Sequence, residues 1–168
     1  MGIFDKLFGK NEENQKSFSV NILENGIEIN NQFFSLPLNF ENLRNLFGNN
    51  FVQTENDTDL IYTWDNLGFK FFVSKTDKSV KSILIKTKES ETSYLPKDVL
   101  NGKLKIKNQD YESCISITEK DYLFKDIAIG NIKLTANISK EEPKQIVAFF
   151  ISEIIKKEKK KSDKYEFK

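Results

Sequence analysis

LIYTWDNLGFKFFVS, residues 60–74, is the stretch of sequence that most constrains the fold. Its two ends are rich in β-branched and aromatic residues, which predicts strands over Leu60–Thr63 and Phe69–Ser74. Between these strands, Asp65 can bond turn amides with its own side chain, and Gly68 can adopt a positive φ. The stretch therefore predicts two antiparallel strands joined by a tight turn, with Trp64 covering the turn.

Alternating apolar and polar residues extend to both sides of this predicted strand pair. A third strand is predicted over Val80–Lys86, after a short polar turn. Upstream, Asn25-Gly26 is a strong hairpin signal between alternating residues that run from Phe18 to Phe34. A helix is predicted over Asn39–Phe47, because Asn39 is a good N-cap and the apolar residues that follow it fall on one helical face.

The C-terminal half predicts more strands and a second helix. Apolar residues at helical spacing follow two first-turn glutamates, which predicts an amphipathic helix over Glu141–Lys157. We therefore expect an α+β fold, in which a twisted antiparallel sheet is covered by a short helix in the N-terminal half and by this C-terminal amphipathic helix. The other strand candidates are Leu104–Ile106, Cys114–Ile117, Phe124–Ile129 and Ile132–Ile138.

The length of 168 residues fits one domain. Residues 1–17 are expected to be a leader with a short amphipathic turn, residues 18–157 a single α+β domain, and residues 158–168 a lysine-rich tail. No apolar run approaches the roughly 20 residues that a membrane span needs. We therefore expect no membrane contact and a cytoplasmic location.

The composition disfavours several classes of function. The chain has no histidine, which removes the commonest general base and metal ligand. Its one cysteine, Cys114, is expected to be a buried strand thiol. The net charge of +1 and the single arginine, Arg44, disfavour sequence-specific recognition of nucleic acid. We expect a protein with no catalytic residues, no metal site and no cofactor; the least favoured alternative is a carboxylate enzyme using Asp121 and Asp126.

Two neighbouring segments are the candidate binding surface. Alternate carboxylates in a predicted loop suit contact with a basic partner, and a tryptophan beside polar turn residues suits a binding anchor. The loop lacks the glycine and the distal glutamate of a calcium-binding EF-hand. The predicted partner-binding residues are Glu55, Asp57, Asp59, Trp64, Asp65 and Asn66.

The first half of the chain also resembles a known group of proteins. The resemblance rests on three features: the Asn25-Gly26 hairpin, the Leu36-Pro37-Leu38 entry to a short helix, and the word Tyr62-Thr63-Trp64-Asp65-Asn66-Leu67-Gly68. They resemble a little-characterised bacterial family with a Tyr-x-Trp-Asp-x-Leu-Gly word, several of whose members look like immunity proteins of polymorphic or type VI secreted toxins. The resemblance implies a cytoplasmic protein that binds and neutralises one cognate toxin without a cofactor.

Two other functions remain open from the sequence. One is an adaptor or structural domain of another bacterial assembly, docked through the leader at Met1–Lys10. The other is a nucleic-acid accessory protein, which would use the lysine-rich tail and the strand aromatics Phe69, Phe71 and Phe72.

Overall fold

The computed structural model describes residues 17–90, 92–118, 121, 123–141 and 144–154. Within these ranges the chain forms two β-sheets and two short α-helices. The helices are α1 (Phe40–Phe47) and α2 (Tyr111–Cys114). The strands are β1 (Phe18–Leu23), β2 (Gly26–Ile29), β3 (Gln32–Ser35), β4 (Leu38–Asn39), β5 (Val52–Glu55), β6 (Asp59–Trp64), β7 (Phe69–Ser74), β8 (Ser79–Lys86), β9 (Gly102–Ile106), β10 (Gln109–Asp110), β11 (Phe124–Ile129), β12 (Ile132–Ile138) and β13 (Ile146–Glu153).

The smaller sheet has five strands in the order β10-β9-β1-β2-β3. The predicted hairpin of β1 and β2 is confirmed, but its loop is Glu24–Asn25, and Gly26 already pairs with Leu23. A second turn at Asn30–Asn31, where both residues have positive φ, divides the predicted second arm into β2 and β3. β1 also pairs in parallel with β9, so this sheet is not wholly antiparallel as the sequence predicted.

The larger sheet has eight strands in the order β11-β12-β13-β8-β7-β6-β5, with β4 paired to one end of β8. The three antiparallel strands predicted from the central stretch are confirmed as β6, β7 and β8. Within the described residues, β5 and β11 are the two edges of this sheet. Its two broad faces differ, because one faces the smaller sheet and the other is covered in part by a loop.

The main core lies between the two sheets. The ring of Phe18 on β1 stacks on Phe47 of α1 at 5.0 Å and meets Phe69 of β7 edge-on at 5.6 Å. The predicted N-cap of α1 is confirmed, since the Asn39 side chain accepts a hydrogen bond from the Glu41 amide at 2.8 Å. Aromatic residues from both sheets and from the helix therefore bury one continuous apolar cluster.

The predicted C-terminal helix is wrong over the described residues, because Ile146–Glu153 is strand β13. This strand lies between β12 and β8 and is buried on both faces along most of its length. A strand of that kind shows no alternation of polar and apolar residues. Its apolar residues therefore also fitted helical spacing, and the β-branched and aromatic content of IVAFFI was the better indicator.

Cys114 also differs from its prediction. It ends α2 rather than lying in a strand, and its side chain is exposed. Residues 115–118 do not form the predicted strand, and the buried residue among them is Ile115, next to the cysteine. The leader turn and the lysine-rich tail lie outside the described residues. Among the residues that are described, no helix is both long enough and apolar enough to cross a bilayer.

Candidate functional site

Trp64, the predicted anchor, is a core residue. Its side chain is 0% exposed, and its indole Nε1 donates a hydrogen bond to the Gly48 carbonyl at 3.1 Å. Its ring centroid lies 5.0 Å from that of Phe51 and 5.4 Å from that of Phe71. A fully buried ring cannot touch a partner unless the core opens, so the structure contradicts the anchor role predicted for Trp64.

Asp65 holds a loop instead of facing a partner. It begins a short 3-10 helix, Asp65–Leu67, directly after Trp64. Its carboxylate accepts a hydrogen bond from the Lys97 amide at 3.0 Å, and its carbonyl accepts one from the Asp98 amide at 3.0 Å. Asn66 lies half-buried in the same turn. We call residues 92–100, which Asp65 holds in this way, the covering loop.

The covering loop lies on the outer face of the larger sheet, where two lysines hold it. The Lys70 ammonium donates to the Tyr94 carbonyl, and the Lys86 ammonium donates to the Lys97 carbonyl and to Glu89 at 3.0 Å. Burial lowers the pKa of Lys70, and the nearby Asp65 carboxylate opposes that effect. Together with the buried side chain of Leu95, these bonds close the loop over a small apolar cluster.

We expect Asp65→Ala to loosen the covering loop without unfolding the domain. The substitution removes the acceptor of the Lys97 amide, and loss of one such bond costs about 1–2 kcal/mol. Hydrogen exchange at the Lys97 and Asp98 amides should become faster, while exchange in β7 stays slow. Asp65→Asn keeps an acceptor oxygen and is the matched control. Unchanged exchange at Lys97 in the alanine variant would contradict the holding role.

The acidic segment forms an ordered turn at the edge of the larger sheet. The Asn56 side chain accepts hydrogen bonds from the amides of Thr58, at 2.9 Å, and Asp59, at 2.7 Å. The Glu55 carboxylate pairs with the Lys75 ammonium at 3.2 Å. Asp57 is exposed, and its carboxylate has no partner among the described residues. We call residues 55–59 the acidic turn; it presents Asp57 and part of Asp59 to solvent.

The six predicted binding residues do not form one surface. The acidic turn precedes β6, whereas Asp65 and Asn66 follow it. A six-residue strand places these two groups about 17 Å apart. Glu55, Asp57 and Asp59 therefore remain together as a candidate contact surface, while Trp64 and Asp65 have structural roles.

A cavity that the sequence did not predict opens on the outer face of the larger sheet. Its volume is about 850 Å³, and it lies between residues 89–90 and 92–94 on one side and the ends of β11 and β12 on the other. Tyr94, Phe124, Asn137 and Val147 are among its lining residues. These residues are far apart in the sequence, so no local pattern could have indicated the cavity.

The carboxylates of the least favoured enzyme alternative do not converge. Asp121 accepts hydrogen bonds from the Thr118 amide and from Lys125, which hold the pKa of its carboxyl below the usual value. Asp126 follows Lys125 along strand β11, so its side chain points to the other face of the sheet from Lys125, the residue that Asp121 contacts. The Asp126 carboxylate pairs with the Lys133 ammonium at 2.8 Å. In the part of the chain that the structure describes, no group of three or more His, Cys, Asp or Glu residues is placed to hold a metal ion.

Comparison with known proteins identifies one family. A domain of unknown function, DUF7738, matches residues 19–121. This range begins in β1 and ends before β11, so it includes the acidic turn and the covering loop but not the last three strands. No curated protein and no solved structure shows significant similarity to the chain.

Proposed function

We propose that this chain, which belongs to the DUF7738 family, is a cytoplasmic immunity protein that binds one cognate secreted toxin and blocks it without catalysis. The word Tyr62–Gly68 and its resemblance to immunity proteins suggest the class of function. The observation that carries the proposal is the acidic turn: an ordered, solvent-facing pair of carboxylates beside an open sheet edge. Such a surface suits a basic groove on another protein.

The acidic turn is organised before any partner arrives. The Asn56 side chain fixes the backbone of the turn through the two hydrogen bonds that it accepts from backbone amides. The Thr58 hydroxyl donates a hydrogen bond to the Asp59 carboxylate at 2.8 Å. A rigid turn loses little conformational entropy on binding, so more of its interaction energy appears as affinity. Asp57 and Asp59 would therefore meet basic toxin residues in a fixed geometry.

Strand β5 extends this surface along the sheet edge. All four of its residues are exposed, and Val52 is 53% exposed. Its outer edge carries backbone groups that are not paired with another described strand. An extended segment of the toxin can add to such an edge through main-chain hydrogen bonds, while the carboxylates of the acidic turn pair with basic residues of the toxin. Occupation of the toxin's basic or substrate-binding groove in this way would block its activity.

Charge reversal tests the surface once a toxic partner has been captured. We expect Asp57→Lys with Asp59→Lys to weaken toxin affinity at least about a hundredfold, because two close charge pairs become repulsive, at about 1.5 kcal/mol or more each. Calorimetric titration of purified toxin into each variant measures the effect. Asp98→Lys with Asp110→Lys changes the net charge equally at exposed positions and is the matched control. Equal affinities for both double variants would remove the acidic turn from the interface.

A further inference from the structure

The cavity on the outer face of the larger sheet has an unused polar group in its wall. Asn137 is only 6% exposed, yet its carboxamide makes no hydrogen bond with any described residue. Every side-chain nitrogen or oxygen that is sealed from solvent in the described chain has a partner. The Asn137 carboxamide must therefore reach solvent, and the opening that it lines is this cavity.

A second buried asparagine shows how such a group is normally satisfied. Asn21 is 5% exposed, and its carboxamide both donates to the Asn108 side chain at 2.8 Å and accepts from the Asn108 amide at 3.0 Å. Most buried polar groups in proteins are bonded in this way. Asn137 offers the same donor and acceptor pair with neither used, which suits a ligand that presents a complementary amide.

Exposed aromatic rings accompany this carboxamide. Among the described residues four large hydrophobic side chains are exposed, and two of them, Phe124 at 60% and Tyr94 at 47%, line the cavity. The Tyr94 hydroxyl is protonated at neutral pH, as a tyrosine ordinarily is, and burial raises its pKa further, so it can donate a hydrogen bond. Exposed aromatic residues that line a cavity are typical of sites that receive an apolar side chain of another protein.

The charges at the cavity indicate which kind of ligand it suits. Glu89 and Glu141 line it together with Lys140, and the Glu89 carboxylate pairs with the buried Lys86. The Glu141 carboxylate has no partner among the described residues. Because Lys86 compensates Glu89, the charged groups left without a partner among the described residues are Lys140 and Glu141, and this near-neutral pair gives little attraction for phosphate groups. A polypeptide with a basic residue fits this lining better than a nucleic acid does.

We propose that this cavity binds an extended polypeptide segment of a partner protein. An apolar side chain of the segment packs against Phe124 and Tyr94, and a backbone amide of the segment bonds with the Asn137 carboxamide. A neighbouring basic residue of the segment faces Glu141. This binding does not require the partner to be a toxin, and the cavity is separate from the acidic turn.

A displayed library of random linear peptides, selected on the purified full chain, tests this site. We expect enriched peptides that combine an aromatic or large aliphatic residue with an adjacent lysine or arginine. A synthetic copy of the strongest peptide should bind at least about tenfold more weakly to Phe124→Ala and to Asn137→Ala. Phe33→Ala, which removes a ring that is 51% exposed on the smaller sheet, is the matched control. Phe124 is itself largely exposed, so its variant should fold even if the Asn137 variant does not.

Three results would overturn the inference. The first is that no peptide is enriched. The second is that the enriched peptide binds Phe124→Ala as tightly as it binds the unchanged chain. The third is that a mixed-sequence single-stranded DNA binds more tightly than the peptide and loses affinity in Phe124→Ala. The Asp57→Lys and Asp59→Lys double variant should bind the peptide normally, so failure at the cavity and failure at the acidic turn can be told apart.

Discussion

Replacing Trp64 by alanine should lower the free energy of unfolding by about 3–5 kcal/mol, the usual cost of removing a buried large aromatic ring. The ring is fully buried among Phe51, Phe71 and other core residues, and its Nε1 bond to Gly48 would also be lost. For a domain of this size the melting temperature should fall by roughly 6–20 °C. Calorimetry or circular dichroism on heating measures the effect.

Trp64→Phe is the control for this prediction. It keeps most of the buried ring and removes the indole donor, so its loss of stability should be clearly smaller. If Trp64 were a surface anchor, the alanine variant would lose partner affinity and keep its melting temperature. A melting temperature unchanged within about 2 °C in Trp64→Ala would contradict the core role.

Gly68→Ala should have the second largest effect on stability, with a loss of about 2 kcal/mol or more in the free energy of unfolding. Gly68 has a φ of +76°, which an L side chain adopts at a cost of roughly 1–2 kcal/mol. A Cβ at this position would also lie 2.5 Å from the Leu100 nitrogen, closer than the contact distance allows. The covering loop would have to move, which would break the 2.8 Å hydrogen bond from the Leu100 amide to the Lys86 carbonyl.

Hydrogen exchange at Leu100 separates the steric effect from backbone strain. Gly48 also has a positive φ, of +83°, but a Cβ there would meet nothing within 4 Å. Gly48→Ala should therefore destabilise the chain through strain alone and leave the covering loop in place. We expect faster exchange at Leu100 in the Gly68 variant only. Equal exchange at Leu100 in both alanine variants would mean that the loop does not depend on this close approach.

These two substitutions also show what the word Tyr62–Gly68 does in the fold. Trp64 fills the core, Asp65 holds the covering loop, and Gly68 leaves room for that loop to pass. Every strongly constrained residue of the word therefore has a structural explanation. A shared word of this kind is evidence for a shared fold, and fold similarity alone does not transfer a function.

The parts of the fold that the sequence predicted are those with local signals. The strands from Asp59 to Lys86 alternate or carry β-branched residues around short polar turns, and α1 has a good cap at Asn39. The failures are decided by distant contacts. Ile146–Glu153 is a strand because β12 and β8 bond to it on both sides, and no local pattern contains those partners. The parallel pairing of β1 with β9 is non-local in the same way.

The candidate surfaces also divide into features with a local signal in the sequence and features that depend on distant contacts. The acidic turn was predicted because its carboxylates are neighbours in the sequence, and it remains a prediction as a contact surface. Trp64 was misassigned because a tryptophan beside a turn has the same local pattern whether it faces the core or solvent. Phe124 and Asn137 meet Tyr94 only in the folded chain, so the cavity had no signal in the sequence.

Growth of cells that produce the products of neighbouring reading frames, with and without this protein, tests the proposed neutralisation most directly. We predict that one such product stops growth when it is produced alone and is harmless when the unchanged chain is co-produced. The Asp98→Lys and Asp110→Lys variant should protect as well, whereas the Asp57→Lys and Asp59→Lys variant should protect poorly. If no toxic neighbouring product is neutralised by the unchanged chain, the immunity function is contradicted.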